Sequence, residues 1–296
     1  MIGSYAPLER VLETAASLGR AEVYGRSAEG RDLLAVELPG DGPTVMVTAG
    51  IHGLEFIGVH TALAVLRAGP LPGARLLVCP VLNPDAYAST ARGERRRTNA
   101  RGVDLNRNFP MPYGARPSRW GFLGAGSRTP GDATYRGAGP RSEPEVAALA
   151  ALVEARRPHA SANLHSFLGT LFCARVWHPS DWVGYRQLAR AFRAGQGTGF
   201  GYPRIGTPVF DVFTGELEDW QHHVMQCWAV CVECFSLPES FRQGLRSPDP
   251  FWRFNPRDPE PVAERDAAGV RALLTASLAL PRPPARTGAE RCEPAW

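Results

Sequence analysis

With 296 residues, 44% of them apolar, the chain can bury a full core and suits one large α/β domain better than two small ones. The formal net charge is +4, but all 33 basic residues are Arg and they are scattered. That argues against a nucleic-acid partner, and the one local run, Arg95-Arg96-Arg97, reads better as a solvated face or a site for a substrate anion. Six cysteines do not make a disulfide scaffold, no apolar run approaches a bilayer span, and the N-terminal stretch lacks the basic and apolar regions of a secretion signal, so a soluble, cytoplasmic chain is expected.

Leu8, Val11, Leu12, Ala15 and Leu18 recur at helical spacing with Gly19 after them, which predicts an amphipathic helix over 6–18. Strands are expected over 21–24 and 33–38, joined by a hairpin turn in GRSAEGRD. A strand over 44–49 runs into Ala49-Gly50, where the backbone can bend, and delivers His52 and Glu55. An imidazole and a carboxylate three residues apart can reach one Zn²⁺ if a third ligand arrives from elsewhere and one position stays open for water. Taken alone, the same pair is in most sequences a polar turn. Phe56, Val59, Leu63 and Leu66 mark the next helix, with His60 on it as a structural histidine.

Leu76–Leu82 reads as a buried strand closed by the turn tripeptide Asn83-Pro84-Asp85. Residues 92–109 form a polar loop dense in cationic and amide groups, and 110–141 are rich in Gly, Pro and Arg without periodicity, as an active-site rim is. Ser142-Glu143-Pro144-Glu145 predicts a capping box before a helix carrying Val146, Leu149 and Val153. A strand over 160–164 delivers His165. A strand near 170–177, a helix around 182–195 and a polar loop then lead to Asp219-Trp220.

The apolar run 227–235, CWAVCVECF, embeds Glu233 in a core strand. Glutamate is almost never fully buried without a partner, so Glu233 is predicted to face a site. Cys227, Cys231 and Cys234 lie near His222 and His223, but strand alternation separates Cys234 from the other two. Buried thiols are therefore expected in place of a second metal site. The domain is expected to span 1–280, with the Pro- and Arg-rich segment 281–296 a disordered tail.

GIHGLE with His52 and Glu55, NPD at 83–85, RTN at 97–99, GVDLNRNFP at 102–110, YRG and SEPE at 135–145, LHSF at 164–167, EDW at 218–220 and VE at 232–233 stand in one order. In these motifs the chain resembles the zinc carboxypeptidase family of carboxypeptidase A and B type, which includes short bacterial members such as murein peptide amidases. The resemblance covers most of residues 6–280. It implies a single α/β domain whose mixed, mainly parallel central sheet is flanked by helices on both faces. It also implies one Zn²⁺ per chain, held by His52, Glu55 and His165. Glu233 would be the general base and acid, moving a proton from water to the leaving amine, and Arg97 would stabilise the oxyanion. Asn106 and Arg107 would hold the free C-terminal carboxylate of a peptide substrate, a task that suits a planar guanidinium. The implied reaction is hydrolysis of a C-terminal peptide or isopeptide bond by zinc-activated water.

The chain departs from the family pattern in places. Digestive members carry a tyrosine nine residues before the Trp of EDW; that position is Asp211 here, with Tyr202 the candidate substitute from the same loop. An arginine those enzymes carry just before the zinc-binding glutamate is Leu54. No inhibitory pro-segment is recognisable, which fits an intracellular enzyme made active. Glu218 stands two residues before the Trp, where the family sets side-chain preference. A buried acid there favours a terminal Arg, Lys or the amino end of diaminopimelate, whereas a solvated rim of Glu216, Glu218 and Asp219 would select nothing.

Two other readings compete with this one. A zinc deacylase of the aspartoacylase and succinylglutamate desuccinylase type shares HxxE, DLNR and a later His, and would release a small acid from an N-acyl amino acid; LHSFLGTLF and EDW look more like peptidases. A catalytically impaired peptide-binding relative is opposed by the presence of both histidines, both glutamates and both arginines.

Overall fold

The structure is a computed structural model that describes residues 2–110, 126–176, 178–197, 201–205 and 215–284. Its strands are β1 (Arg20–Arg26), β2 (Asp32–Leu38), β3 (Thr44–Ala49), β4 (Arg75–Cys79), β5 (Ala160–Ser166), β6 (Thr170–Cys173), β7 (Arg204–Ile205) and β8 (Trp228–Cys234). They form one sheet in the order β1-β2-β4-β3-β5-β8-β6-β7. The centre, β4-β3-β5-β8, is parallel, while β1 and β2 extend it antiparallel on one side and β6 pairs antiparallel to β8 on the other.

Every residue of β3 and β5 is buried, as strands at the middle of a sheet covered on both faces must be. Strand alternation divides the side chains between two cores. Val45, Val47, Ala162, Leu164, Val230 and Val232 meet α1 (Leu8–Ser17), α2 (Phe56–Arg67), α5 (Pro179–Gly195) and α9 (Glu260–Ser277) through Val11, Ile57, Leu63, Leu188, Phe192 and Leu273. On the other face Met46, Leu77 and Cys79 pack with Val146, Leu149 and Val153 of α4 (Pro144–Arg156) and Trp220 of α6 (Leu217–His223). The mixed, mainly parallel sheet with helices on both faces is therefore the fold.

Several local expectations differ from the structure. Asn83-Pro84-Asp85 is not a turn but the start of α3 (Pro84–Ala91). Asn83 Oδ1 accepts from Ala86 N at 3.1 Å, and Pro84 sits in the first turn, where its missing N–H leaves nothing unsatisfied. The capping box before α4 does not form. Glu143 is the N-cap without a side-chain cap bond, Ser142 Oγ donates to Glu143 Oε1 at 2.9 Å, and Glu145 accepts from Ala28 N at 2.9 Å and Asn99 Nδ2 at 3.2 Å. The strand expected near 170–177 ends at Cys173, and α5 begins at Pro179. After β8 come α7 (Leu237–Gly244), α8 (Phe251–Phe254) and α9, none of them predicted.

Residues 281–284 lie against the domain, with Trp228 Nε1 donating to Pro281 O at 2.9 Å and Arg282 Nη1 to Pro158 O at 3.0 Å. The remainder of the Pro- and Arg-rich segment, and 111–125 of the expected rim, are outside the described residues. Among the described residues no helix is long and apolar enough to cross a membrane.

Candidate metal centre and the cavity around it

β3, β5 and β8 run parallel, so their C-terminal ends, and the turns leaving them, lie along the same edge of the sheet. His52 and Glu55 come from the turn after β3, where Gly50 takes a φ of +65°. His165 lies near the end of β5 and Glu233 near the end of β8, and the two are register partners.

His52 Nδ1 lies 2.8 Å from Glu55 Oε1, and His165 Nδ1 lies 3.0 Å from Glu55 Oε2. All three side chains are buried. Burial pushes the Glu55 carboxyl up, but the two imidazoles outweigh it and hold the group well below the usual carboxylate range. Burial likewise works against charge on His165, yet Glu55 beside it raises the imidazole to about 9. The chain thus draws positive charge to a point where two ring nitrogens and a carboxylate converge. A divalent cation supplies that charge, and two imidazoles with one carboxylate are a donor set suited to zinc with one position open. The residues fit the metal.

On the other side of the His52 ring, Nε2 meets Asp104 Oδ1 at 3.1 Å, which turns Nδ1 toward the centre. Asp104 Oδ2 accepts from Arg97 Nε at 3.0 Å and pairs with Arg97 Nη2 at 2.9 Å. Burial would raise the Asp104 carboxyl; Arg97, then His52 and Arg107, outweigh it and keep it well below the ordinary value. Glu233 is different. Its Oε2 is buried with no hydrogen-bond partner among the described residues. Burial, reinforced by the charge of Glu55, raises its carboxyl to about 7.

The metal-ligating, catalytic and substrate-binding residues that the resemblance implied line one cavity of about 350 Å³: His52, Glu55, His165, Glu233, Arg97, Asn106, Arg107 and Glu218. Asn106 and Arg107 sit in a short 3₁₀ turn, Leu105–Arg107. Asn106 Oδ1 accepts from Leu217 N at 3.0 Å, which commits the oxygen of that amide and leaves its N–H donors for the cavity. Glu218 is buried and belongs to no solvated rim: Asn163 Nδ2 donates to Glu218 Oε1 at 2.9 Å and to Gln221 Oε1 at 2.9 Å. Thr48 Oγ1 and Ser161 Oγ in turn donate to Asn163 Oδ1 at 2.9 and 2.7 Å.

Two residues that hold this site together, Asp104 and Asn163, carried no role in the sequence reading, while Glu216 was expected on a solvated rim and Cys231 as a buried thiol. Asp104 stood inside the GVDLNRNFP run, where an acid between apolar neighbours was the available signal. Cys231 lines the cavity close to His165 and Glu218.

Tyr202 does not reach the cavity. It is 1% exposed, and its hydroxyl donates to Asp266 Oδ2 at 2.8 Å and accepts from Phe235 N at 3.0 Å, so it takes no part as the missing tyrosine. Asp211 is outside the described residues. His222 and His223 face other partners, Tyr185 OH at 2.8 Å and Arg175 O at 2.5 Å, and are not grouped with the buried thiols. His60 packs edge-on against the Tyr5 ring with centroids 4.8 Å apart, and burial lowers it to about 4.

The family described as zinc carboxypeptidase matches residues 5–68 and 71–241. Carboxypeptidase A6 of Homo sapiens is 29% identical over 231 residues, 67% of this chain and 51% of that protein. Murein peptide amidase A of Escherichia coli (strain K12) is 31% identical over 190 residues, 63% of this chain and 73% of that protein. This chain therefore spans about half the length of the first of these relatives. Bovine thrombin-activatable fibrinolysis inhibitor, solved in complex with tick carboxypeptidase inhibitor, shares the fold with a TM-score of 0.74 at 17% identity, over 93% of this chain and 98% of that one.

Proposed function

Because the chain belongs to the zinc carboxypeptidase family, we propose that it is a zinc-dependent hydrolase that removes the C-terminal residue of a peptide, preferring a cationic terminal side chain. One observation carries this reading: the cavity that holds the three-ligand centre and the orphaned Glu233 also holds Asn106, Arg107 and the buried acid Glu218. When bound by His52, Glu55 and His165, zinc supplies a Lewis acid that makes water a competent nucleophile near neutral pH.

The chain's own residues supply the rest. The Arg107 guanidinium pairs with the free terminal carboxylate and Asn106 donates to it, so the end of a peptide, and not its interior, is seated in the cavity. Glu233 takes a proton from the attacking water at its unpartnered Oε2 and returns it to the leaving amine; a carboxyl raised by burial suits both halves of that task. Arg97, oriented by Asp104, offers a fixed positive charge to the carbonyl oxygen as it becomes anionic. Glu218, held by Asn163, meets the guanidinium or ammonium of a terminal Arg, Lys or diaminopimelate. The name of one relative makes murein peptides a further candidate substrate.

The test is mass spectrometry of a mixed pool incubated with the zinc-supplied chain and, in parallel, with its Glu233→Gln variant. The pool contains peptides with every C-terminal residue, a γ-D-glutamyl-diaminopimelate peptide and N-acyl amino acids. Loss of single terminal residues by the wild type alone is expected, with Arg, Lys or diaminopimelate leading. Release of acyl groups only would replace this reading with the deacylase. Peptide binding without any turnover would leave a binding protein.

A further inference from the structure

Glu216 shares the cavity with Arg107, and its Oε1 lies 3.4 Å from Arg107 Nη1. The guanidinium side chain is 4% exposed and the carboxylate side chain 23%. The backbone holds them there. Phe109 N donates to Gly215 O at 3.0 Å, and a Cβ at Gly215, whose φ is +73°, would come within 2.3 Å of Arg107 O, so only glycine admits this approach. Leu217 N is bonded by Asn106. Glu216 is the N-cap residue of α6 and makes no side-chain cap bond. Its carboxylate goes to Arg107 instead.

We propose that Glu216 is a specificity-determining residue: an internal counter-ion of Arg107 that an incoming terminal carboxylate must displace, and that acts with Glu218 to favour terminal residues bearing a positive side chain. The proposal rests on the carboxypeptidase reading of the cavity. A substrate carboxylate on Arg107 competes with Glu216 for that guanidinium and places a second anion beside it, and like charges a few ångströms apart in a part-buried cavity repel. Among the described residues the arginines lining the cavity are Arg97 and Arg107, and Arg97 is paired with Asp104. A neutral terminal side chain brings no positive charge to Glu216 and Glu218. A guanidinium or ammonium brings that charge with the same ligand. Discrimination arises as much from what the two acids oppose as from what they attract.

The experiment compares Nα-acetyl-L-arginine with Nα-acetyl-L-leucine by calorimetric titration into the zinc-supplied wild type, Glu216→Gln and Glu216→Asp, with steady-state kinetics on peptides ending in the same residues. Glu216→Gln is expected to tighten the leucine ligand and weaken the arginine ligand, narrowing the ratio of affinities on the order of fivefold, the scale of one part-exposed ion pair. The change should appear in KM and not in kcat, Glu216→Asp should fall between, and added salt should narrow the wild-type ratio. If Glu216→Gln shifts both ligands by one factor, or neither, while the wild type still prefers arginine, Glu216 selects nothing and only this proposal falls. If the wild type binds neither ligand and cleaves no peptide, the carboxypeptidase reading falls and this proposal with it.

Discussion

Asp104 Oδ1 stands 3.1 Å from His52 Nε2, and the second oxygen of the same carboxylate takes Arg97. One buried acid thus holds an imidazole of the candidate metal centre and a cavity-lining guanidinium. Asp104→Asn keeps the size and removes the charge. Zinc affinity should fall by about 10- to 100-fold, measured by competition with a chromophoric chelator. An affinity within twofold of the wild type would remove Asp104 from this role.

Metal removal should destabilise the fold. His52, Glu55 and His165 lie buried around one point, so a ligand that binds only the native state adds stability by mass action, about 2.7 kcal/mol at a concentration 100 times its dissociation constant. Chelator-treated chain should unfold at a lower temperature in calorimetry, and one equivalent of zinc should restore the midpoint. A midpoint indifferent to zinc would show that no native metal site exists.

Glu233→Gln should separate binding from turnover. The amide cannot accept a proton, so kcat should drop by roughly 10²- to 10⁴-fold, the range of general acid–base effects. Zinc content and KM should change little, because Glu233 is not one of the three converging ligands. A kcat within tenfold of the wild type would move the proton transfer to another group.

Asp266, which does not line the cavity, predicts a pH effect. It accepts from Gln196, Tyr202 and Arg265, and burial raises its carboxyl above the ordinary value even though Arg265 pulls the other way. A raised folded value means that the folded chain keeps a proton the unfolded chain has lost. The associated stability is complete below the unfolded value, about 3.9, and is lost as pH rises through the raised one. The melting temperature of the wild type minus that of Asp266→Asn should therefore shrink as pH climbs from 4. A gap that widens over that range would contradict the direction of the shift.

The apolar runs at 44–49 and 227–235 determined by themselves that the chain has core strands, because burying such runs requires a sheet covered on both faces. Glu233, inside the last run, marked a site because a buried charge needs a partner, whereas His52 and Glu55 stood out by their spacing and His165 through the family resemblance. Partnership was decided only in space. Glu145 abandons a local cap for Ala28, 117 residues away, and for Asn99. Glu216 likewise leaves its own helix for Arg107, and Tyr202 is drawn into the core by Asp266. Periodicity records which face a residue occupies, whereas a hydrogen bond depends on which donor the folded chain brings within about 3 Å. A local cap contributes about 1 kcal/mol, little enough for one buried tertiary bond to replace it.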